Sequence, residues 1–351
     1  MTISPSLYRP RSMGSLAMSS VGGASFSACS PTGDIERLPV ERGSYHVPVM
    51  ADEIVALLGS LDGVVVDATL GGGGHSALLL AVNPTLRIIG IDRDPEARAQ
   101  AAQTLAPFAG RFMIAAATFA EIADVVRDNA AWIDGAPIVG VLMDLGVSSH
   151  QLDEGERGFS FRADAPLDMR MDPTSGVTAA EYLATADVHE FTRLLRANGE
   201  DRFAGAIARS VITAQPTTTD ELSAAVARAV PMAARRKGHV ATRVFQALRI
   251  AVNDEMGQLE EGLTGALNVL APQGVLSVIS YHSGEDRFVK STFAHWATGG
   301  CTCPYALGCV CGAVALVTVD RASAALATAT EISSNPRARS ARLRVARKVS
   351  A

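Results

Sequence analysis

The stretch VVVDATLGGGGH, residues 64–75, decides the fold of this chain, because it joins a buried strand to a tight glycine loop and a helix. Three consecutive valines are typical of a parallel strand covered on both faces, and this strand is expected to end at Asp67. Four glycines follow, and a helix is predicted over residues 75–81. A strand, a loop and a helix in this order predict a nucleoside-binding fold.

A second stretch, RIIGIDRDP at residues 87–95, repeats this strand-to-acid pattern. Its aliphatic run ends at Asp92, 21 residues after Gly71, and an acid at this spacing contacts ribose hydroxyls in nucleoside-binding folds. Dinucleotide-binding loops start with glycine directly after the strand, whereas here Asp67 comes first. An acid at that position suits a cofactor with cationic groups, and S-adenosylmethionine carries an ammonium and a sulfonium. We therefore predict a methyltransferase.

Strands and helices continue to alternate up to residue 150. Helices are predicted over residues 52–58 and 95–105, and strands over residues 112–115 and 138–142. This alternation predicts a parallel sheet with both faces covered, whose ligands bind at the carboxyl ends of the strands. A third acid, Asp144, is expected at that edge beside the other two.

The alternation stops after Gln151 for nearly a hundred residues. Residues 153–172 are dense in charge and residues 179–229 show helical spacing. This predicts a helical insertion over residues 151–239 that recognises the substrate. One long helix over residues 243–267, a strand over 275–280 and a helix over 284–293 are expected to complete the sheet.

These patterns predict three regions. Residues 44–150 and 240–351 are expected to form the cofactor-binding domain, interrupted by the insertion. Residues 1–43 are rich in Ser, Gly and Pro without an apolar period, which predicts a disordered N-terminal extension.

Composition adds limits on partners and location. The net charge of −5 means that any nucleic-acid surface must be a local patch, and no apolar run is long enough to cross a bilayer. We expect a cytoplasmic protein without membrane contact, and its oligomeric state, a homodimer included, stays open. Two basic clusters are candidates for RNA contact: Arg235, Arg236, Lys237 and Arg243 in the first, and Arg337, Arg339, Arg342, Arg344, Arg347 and Lys348 in the second.

From about Ser44 to the C-terminus, the chain resembles the bacterial ribosomal RNA small subunit methyltransferase H family. The resemblance is carried by long motifs in a fixed order: YHVPVM (45–50), GGHS (73–76), DRDP (92–95), DLGVSS (144–149), RGFSF (157–161), PLDMRMD (166–172), TRVFQALRI (242–250), HS and EDR (282–283, 285–287) and NPRARS (335–340). His150, Tyr281 and Gly284 depart from the usual family pattern.

The resemblance implies a class I, Rossmann-like α/β methyltransferase with a mostly parallel sheet and a helical insertion after the fourth strand. It implies methyl transfer from S-adenosylmethionine to N4 of one cytidine in the decoding region of small-subunit (16S) ribosomal RNA, with the small ribosomal subunit as partner. The cofactor contacts that it implies are Gly73, Gly74, His75, Asp92, Phe119, Asp144 and Gln151, to which our own reasoning adds Asp67.

The chemistry itself suggests the catalytic candidates. A cytosine amine is a poor nucleophile, so the site must orient it and accept its hydrogen bonds. Asp144 is the best acceptor, Ser148 and Ser149 could assist, and His282 follows a strand at the same edge. The alternatives are that Asp144 only touches the cofactor, that the serines cap a helix, and that His282 is structural.

Several assignments stay open at this point. Phe159 and Phe161 could stack on a flipped base or fill the core of the insertion, and an internal ion-pair network is favoured for Arg157 and Arg170. Rival functions are a methyltransferase for DNA or a small molecule, and a non-catalytic cofactor-binding ribosome assembly factor.

The cysteines are concentrated in one short segment near the C-terminus. Four of the five stand as C-x-C pairs at residues 301–303 and 309–311, whereas structural zinc prefers two intervening residues. Free thiols are therefore favoured over zinc or a disulfide, and no metal is expected in the reaction.

Overall fold

A computed structural model describes residues 48–146, 155–160, 164–232, 240–304, 310–319 and 325–350. The strands are β1 (Val64–Asp67), β2 (Arg87–Asp92), β3 (Phe112–Ala116), β4 (Ile138–Asp144), β5 (Val275–Ser280), β6 (Val317–Thr318), β7 (Ala325–Leu326) and β8 (Arg342–Lys348). The α-helices are α1 (Ala51–Leu58), α2 (Gly74–Val82), α3 (Pro95–Leu105), α4 (Ile122–Asp128), α5 (Ala130–Ile133), α6 (Ala179–Thr185), α7 (Val188–Ala197), α8 (Ala204–Ala214), α9 (Thr219–Ala229), α10 (Val240–Val252), α11 (Glu255–Val269), α12 (Ser283–Ala297) and α13 (Ala329–Ser334).

One sheet organises the described part of the chain, in the order β3-β2-β1-β4-β5-β8-β6, with β7 also paired to β8. Strands β1 to β5 run parallel, and β8 pairs antiparallel with β5. The prediction of a mostly parallel α/β sheet is confirmed. All carboxyl ends of β1 to β5 therefore meet at one edge.

Helices cover both faces of the sheet, because alternate residues of each strand point to opposite sides. Val64 and Val66 of β1 pack into one core with α4, α11 and α12. Val65, between them, packs into the other core with α1, α2 and α3. Both faces of β1 are thus apolar and buried, as expected from its run of three valines.

A third core lies among the helices that follow β4. It joins α6, α7, α8 and α9 to the face of α10 that carries Val244, Phe245 and Leu248. Phe159 is buried in this core, which supports the core alternative for that residue. Helix α10 thus packs with helices of the predicted insertion, while the domain division itself stays a prediction.

The single helix predicted over residues 243–267 is wrong, because α10 and α11 are separate. Asp254 between them has a left-handed backbone (φ 47°), which ends α10. The Asn253 side chain accepts from the Met171 N–H and donates to the Met169 carbonyl, both at 2.8 Å. These long-range bonds stabilise a break between two helices that local helical spacing does not show.

Two further outcomes concern the ends of the chain. The second basic cluster contains strand β8, whose Leu343 and Val345 are buried between exposed or half-buried cations. The predicted disordered extension lies outside the described residues. Within the part of the chain that the structure describes, no helix has the length and apolar character to span a membrane.

Candidate active site

The three acids predicted to form the site stand at one edge of the sheet. Asp67, Asp92 and Asp144 are the last residues of β1, β2 and β4, which are neighbours in the order β2-β1-β4. Parallel strands therefore place all three at the same carboxyl edge, where ligands of such sheets bind.

Asp67 is a buried carboxylate with an unused acceptor. It is 1% exposed, and its Oδ2 accepts a hydrogen bond from Ser76 Oγ at 2.7 Å. Its Oδ1 has no hydrogen-bond partner among the described residues. Burial raises the pKa of Asp67, although the Ser76 hydrogen bond and nearby His75 oppose the rise. An unpaired buried acceptor is costly, so this atom fits a ligand that brings a donor or a positive charge.

Asp92 holds the glycine loop in place. Its Oδ2 accepts from the Gly71 N–H and its Oδ1 from the Asp94 N–H, both at 2.8 Å. Burial raises the pKa of Asp92 to about 6 despite these two bonds. The 21-residue spacing that predicted a ribose contact thus also corresponds to a direct hydrogen bond between loop and acid.

Gly73 and Gly74 form the start of α2. Gly73 is left-handed (φ 82°), a conformation that glycine adopts without strain. A Cβ on Gly74 would lie 2.7 Å from Pro48 Cγ. The chain segment before α1 therefore packs directly against this turn. Among the described residues no side chain caps α2, which leaves its first N–H groups for an anionic ligand group such as a carboxylate.

Asp144 is surrounded by polar groups from three elements. Its backbone N–H donates to Thr69 Oγ1 at 2.6 Å, and Tyr281 donates its hydroxyl to Asp144 Oδ1 at 2.7 Å. His75 Nε2 lies 3.6 Å from Asp144 Oδ2, beyond hydrogen-bond length. The Asp144 side chain is 24% exposed, so it remains accessible to a substrate. Burial, followed by the charge of Asp144, raises the pKa of Tyr281, which keeps this phenol protonated as a donor.

His75 is enclosed between two acids. It is buried, and neither ring nitrogen has a hydrogen-bond partner among the described residues. Its position close to Asp67 and Asp144 joins the acids of β1 and β4 into one cluster. The side chain therefore belongs to the site, in addition to the backbone N–H expected from the sequence.

A cavity opens beside this cluster. Phe119 lines it and packs on α11, where a Cβ on Gly262 would lie 2.6 Å from the Phe119 ring. A flat aromatic wall at this place fits the predicted contact with an adenine. The other lining residues are Thr69, Arg93, Leu145, Gly146, Met171, Glu255, Leu259 and Glu285.

His282 has a structural role at the start of α12. Its Nδ1 accepts from the N–H groups of Gly284 and Glu285, and its Nε2 lies 3.1 Å from Glu285 Oε1. Burial would raise the pKa of Glu285, but the hydrogen bond and charge of His282 outweigh it and lower this pKa. The geometry supports the structural alternative for His282, and its catalytic assignment stays a prediction.

The structure confirms one predicted network and leaves some residues undescribed. Arg157 donates to Asp94 Oδ2 at 2.6 Å and to the Met171 carbonyl at 2.8 Å, which is the internal ion-pair arrangement expected for it. Arg170 pairs with Asp168 in the same region. The predicted Ser148, Ser149, Gln151 and Phe161 lie outside the described residues.

Sequence reasoning missed part of the site. Tyr281 follows β5 directly, so the rule that ligands bind at strand ends could have identified it. Glu255 forms a buried bidentate pair with Arg249, with both contacts at 2.7 Å, and lines the cavity. That pair depends on the break between α10 and α11, which no local signal indicated.

The fold and the site together define a class of protein. A mostly parallel α/β sheet carries acids at the ends of adjacent strands, a glycine turn before an uncapped helix and an aromatic wall. These are the features of a class I methyltransferase. Asp67 Oδ1, which has no hydrogen-bond partner among the described residues, and the start of α2 fit S-adenosylmethionine, whose ammonium and carboxylate they complement.

Comparison with known proteins identifies the family. Residues 43–349 match the model of the MraW methylase family, and the chain belongs to it. The ribosomal RNA small subunit methyltransferase H of Symbiobacterium thermophilum is 47% identical over 316 residues, covering 88% of this chain and 98% of that protein. The protein of the same name from Heliobacterium modesticaldum is 46% identical over 313 residues, covering 87% and 99%. The predicted family and its cofactor, S-adenosylmethionine, are confirmed.

A solved structure is also similar at a lower level. It is an rRNA methylase from Streptococcus thermophilus, 12% identical with a TM-score of 0.36, covering 86% of this chain and 94% of that one.

Proposed function

We propose that this chain methylates N4 of a cytidine in small-subunit ribosomal RNA, with S-adenosylmethionine as the methyl donor. The observation that carries the proposal is the cluster of Asp67, His75 and Asp144 beside the cavity, in a chain whose relatives are named ribosomal RNA small subunit methyltransferase H. The cluster provides negative charge for a sulfonium donor and one accessible carboxylate for an amine.

The cofactor contacts follow from the geometry of the strand ends. When bound, S-adenosylmethionine supplies an electrophilic methyl group on a positively charged sulfur. Asp67 Oδ1 would accept from its ammonium, and the N–H groups at the start of α2 would bind its carboxylate. Asp92 would accept from the ribose hydroxyls, and Phe119 would pack on the adenine.

Asp144 is proposed to orient the target base. A carboxylate oxygen that accepts a hydrogen bond from the N4 amine fixes the direction of its weakly nucleophilic lone pair. The hydrogen bond from Tyr281 limits rotation of the Asp144 side chain, while the Thr69 hydroxyl holds the Asp144 backbone N–H at the strand end. The amine proton becomes acidic as the new N–C bond forms, and Asp144, whose side chain is 24% exposed, would receive it.

RNA contact is proposed for only part of the second basic cluster. Arg344 pairs with Asp286 at 2.6 Å, and Lys348 donates to the Leu270 carbonyl at 2.7 Å. Arg339 and Arg342 are exposed. In the antiparallel register Arg342 lies opposite Ser280, the last residue of β5, and therefore at the edge that carries the acids. We infer that these two exposed arginines bind phosphates of an RNA whose base enters the site.

The proposal is tested by methyl transfer to defined substrates. Full-length protein is incubated with isotope-labelled S-adenosylmethionine and small ribosomal subunits from cells that lack this methylation, and the labelled nucleoside is identified by mass spectrometry. We expect label on N4 of a cytidine, and a fall of about 10² or more with Asp144→Asn. Asp128→Asn, an exposed acid on α4, is the matched control and should retain full activity.

Other outcomes would favour the rival functions. Label on another base or position would refute the cytidine assignment. If DNA or small molecules, in the absence of ribosomal particles, were labelled as strongly as the ribosomal RNA, the result would favour a methyltransferase that acts on DNA or a small molecule. Cofactor binding without any transfer, unchanged by Asp144→Asn, would favour the non-catalytic assembly factor.

A further inference from the structure

Three thiols converge in the loop that follows α12. The Sγ atoms of Cys301, Cys303 and Cys311 all lie within 4.8 Å of one another, and none of the three forms a disulfide. The Cys303 sulfur accepts hydrogen bonds from the other two thiols and from the Val310 N–H. Two C-x-C motifs that are separate in sequence thus contribute to one cluster.

Packing does not account for this convergence. The loop is tied to the last turns of α12 by the Gly300 N–H on the His295 carbonyl at 2.9 Å, and by Leu316 N–H on the Trp296 carbonyl at 2.8 Å. Between these anchors Val310 is 87% exposed and Cys311 is exposed, so burial in an apolar core does not hold these two described residues. A segment of this kind needs another source of order, and a bound metal supplies it in many small loops.

We propose that Cys301, Cys303 and Cys311 bind a structural zinc ion. Zn²⁺ prefers thiolates at about 2.3 Å, which places sulfurs of one tetrahedral site about 3.8 Å apart. The observed separations reach this geometry with small side-chain movements, and each thiol releases its proton to solvent on binding. Structural sites take four ligands, and the three described thiols supply three of them.

The C-x-C spacing favours free thiols as long as each pair of cysteines is considered alone. The structure, however, brings Cys311 next to the first pair. Proximity in the folded chain, which spacing cannot show, changes the assignment to zinc.

The zinc ion would lie far from the candidate active site. Helix α12 starts beside His282 at the site and runs 15 residues to the loop, a length of about 22 Å. Metal loss is therefore expected to leave cofactor affinity unchanged while it increases cleavage of residues 299–316 by a protease. This difference separates the zinc proposal from the proposed function.

The test measures metal in the full-length protein, expressed without an affinity tag that binds metals. We expect about one zinc per chain after dialysis, and at least a tenfold lower content in Cys303→Ser. Cys29→Ser, which alters the only cysteine outside the two motifs, is the matched control and should retain the zinc. Reconstitution of the metal-free wild type with Co²⁺ should give the intense visible bands of tetrahedral thiolate coordination.

Clear results would overturn the proposal. Wild-type protein that holds no zinc and shows no thiolate bands with Co²⁺ would refute it without any variant. A disulfide among these cysteines, found by mass spectrometry of protein kept anaerobic, would also refute it. Circular dichroism of Cys303→Ser shows whether lost metal reflects a lost ligand or a lost fold.

Discussion

Protonation of Asp92 is expected to weaken cofactor binding as the pH falls through about 6. The carboxylate already accepts from Gly71 and Asp94, and burial raises its pKa to about 6 from the ordinary 3.8. Ribose hydroxyls donate better to an ionised acceptor than to a neutral acid. If only the ionised form binds, the dissociation constant at pH 5 should be about ten times that at pH 7.

The same shift affects the stability of the free protein with the opposite sign. Because the folded pKa exceeds the unfolded one, the stabilisation is present below about pH 4 and is lost as the pH rises through 6. A difference of about two pH units corresponds to about 3 kcal/mol, and partial access of water to Asp92 makes this an upper limit. At neutral pH the ionised carboxylate therefore lowers the stability of the free protein. The same negative charge is proposed to accept hydrogen bonds from the ribose hydroxyls.

Calorimetric titration with S-adenosylhomocysteine between pH 5 and 8 tests this reasoning. Wild type should lose about tenfold in affinity at the acid end, whereas Asp92→Asn should bind about 10–100 times more weakly at pH 7 with a flatter profile. Asp128→Asn should behave as wild type. An identical pH profile in wild type and Asp92→Asn would assign the effect to another group, with Asp67 the first to examine, and would refute the ribose role.

Three further predictions address the neighbours of these acids. Tyr281→Phe removes one donor to Asp144 and should lower kcat by about tenfold or less, against about 10² or more for Asp144→Asn, in single-turnover assays. Glu255→Gln leaves Arg249 buried without its charge partner and should lower the free energy of unfolding in urea by about 3–5 kcal/mol, whereas Asp124→Asn, from an exposed pair, should change it by less than about 1. Arg342→Glu should weaken RNA binding and lower its salt slope by about one, while Arg347→Glu, at the opposite end of β8, should have less effect. Equal effects of the two variants in any of these three comparisons would contradict the corresponding assignment.

The sequence predicted the parts of the fold that local chemistry determines. Strands β1, β2 and β4 were recognised because each is an aliphatic run that ends in an acid, and the sheet order then brings Asp67, Asp92 and Asp144 to one edge. The sequence does not predict the division between α10 and α11, because Asp254 takes a left-handed conformation and no glycine or proline marks the break. The break is stabilised by hydrogen bonds between Asn253 and residues more than 80 positions away. A local window of sequence does not contain both partners.

Strand β8 and Tyr281 show a second limit. The alternation of cations with Leu343 and Val345 was interpreted as an RNA-binding cluster, although the same alternation is typical of a strand with one buried face. The contact of Tyr281 with Asp144 joins residues 137 apart and depends on the pairing of β4 with β5. Composition shows how many charged residues a segment has. The strand order is needed to show which of them make contacts within the protein.

The cost of the acid cluster is itself an argument for a cationic ligand. Burial raises the pKa of Asp67, and Asp144 adds like-charge repulsion at the end of the adjacent strand. The Ser76 hydrogen bond and nearby His75 oppose this rise only in part, and His75 makes no hydrogen bond of its own to either acid among the described residues. A core selected for stability alone would pair or remove such groups. A ligand with a sulfonium and an ammonium relieves the repulsion, so binding of the donor should stabilise the fold most strongly through β1 and β4.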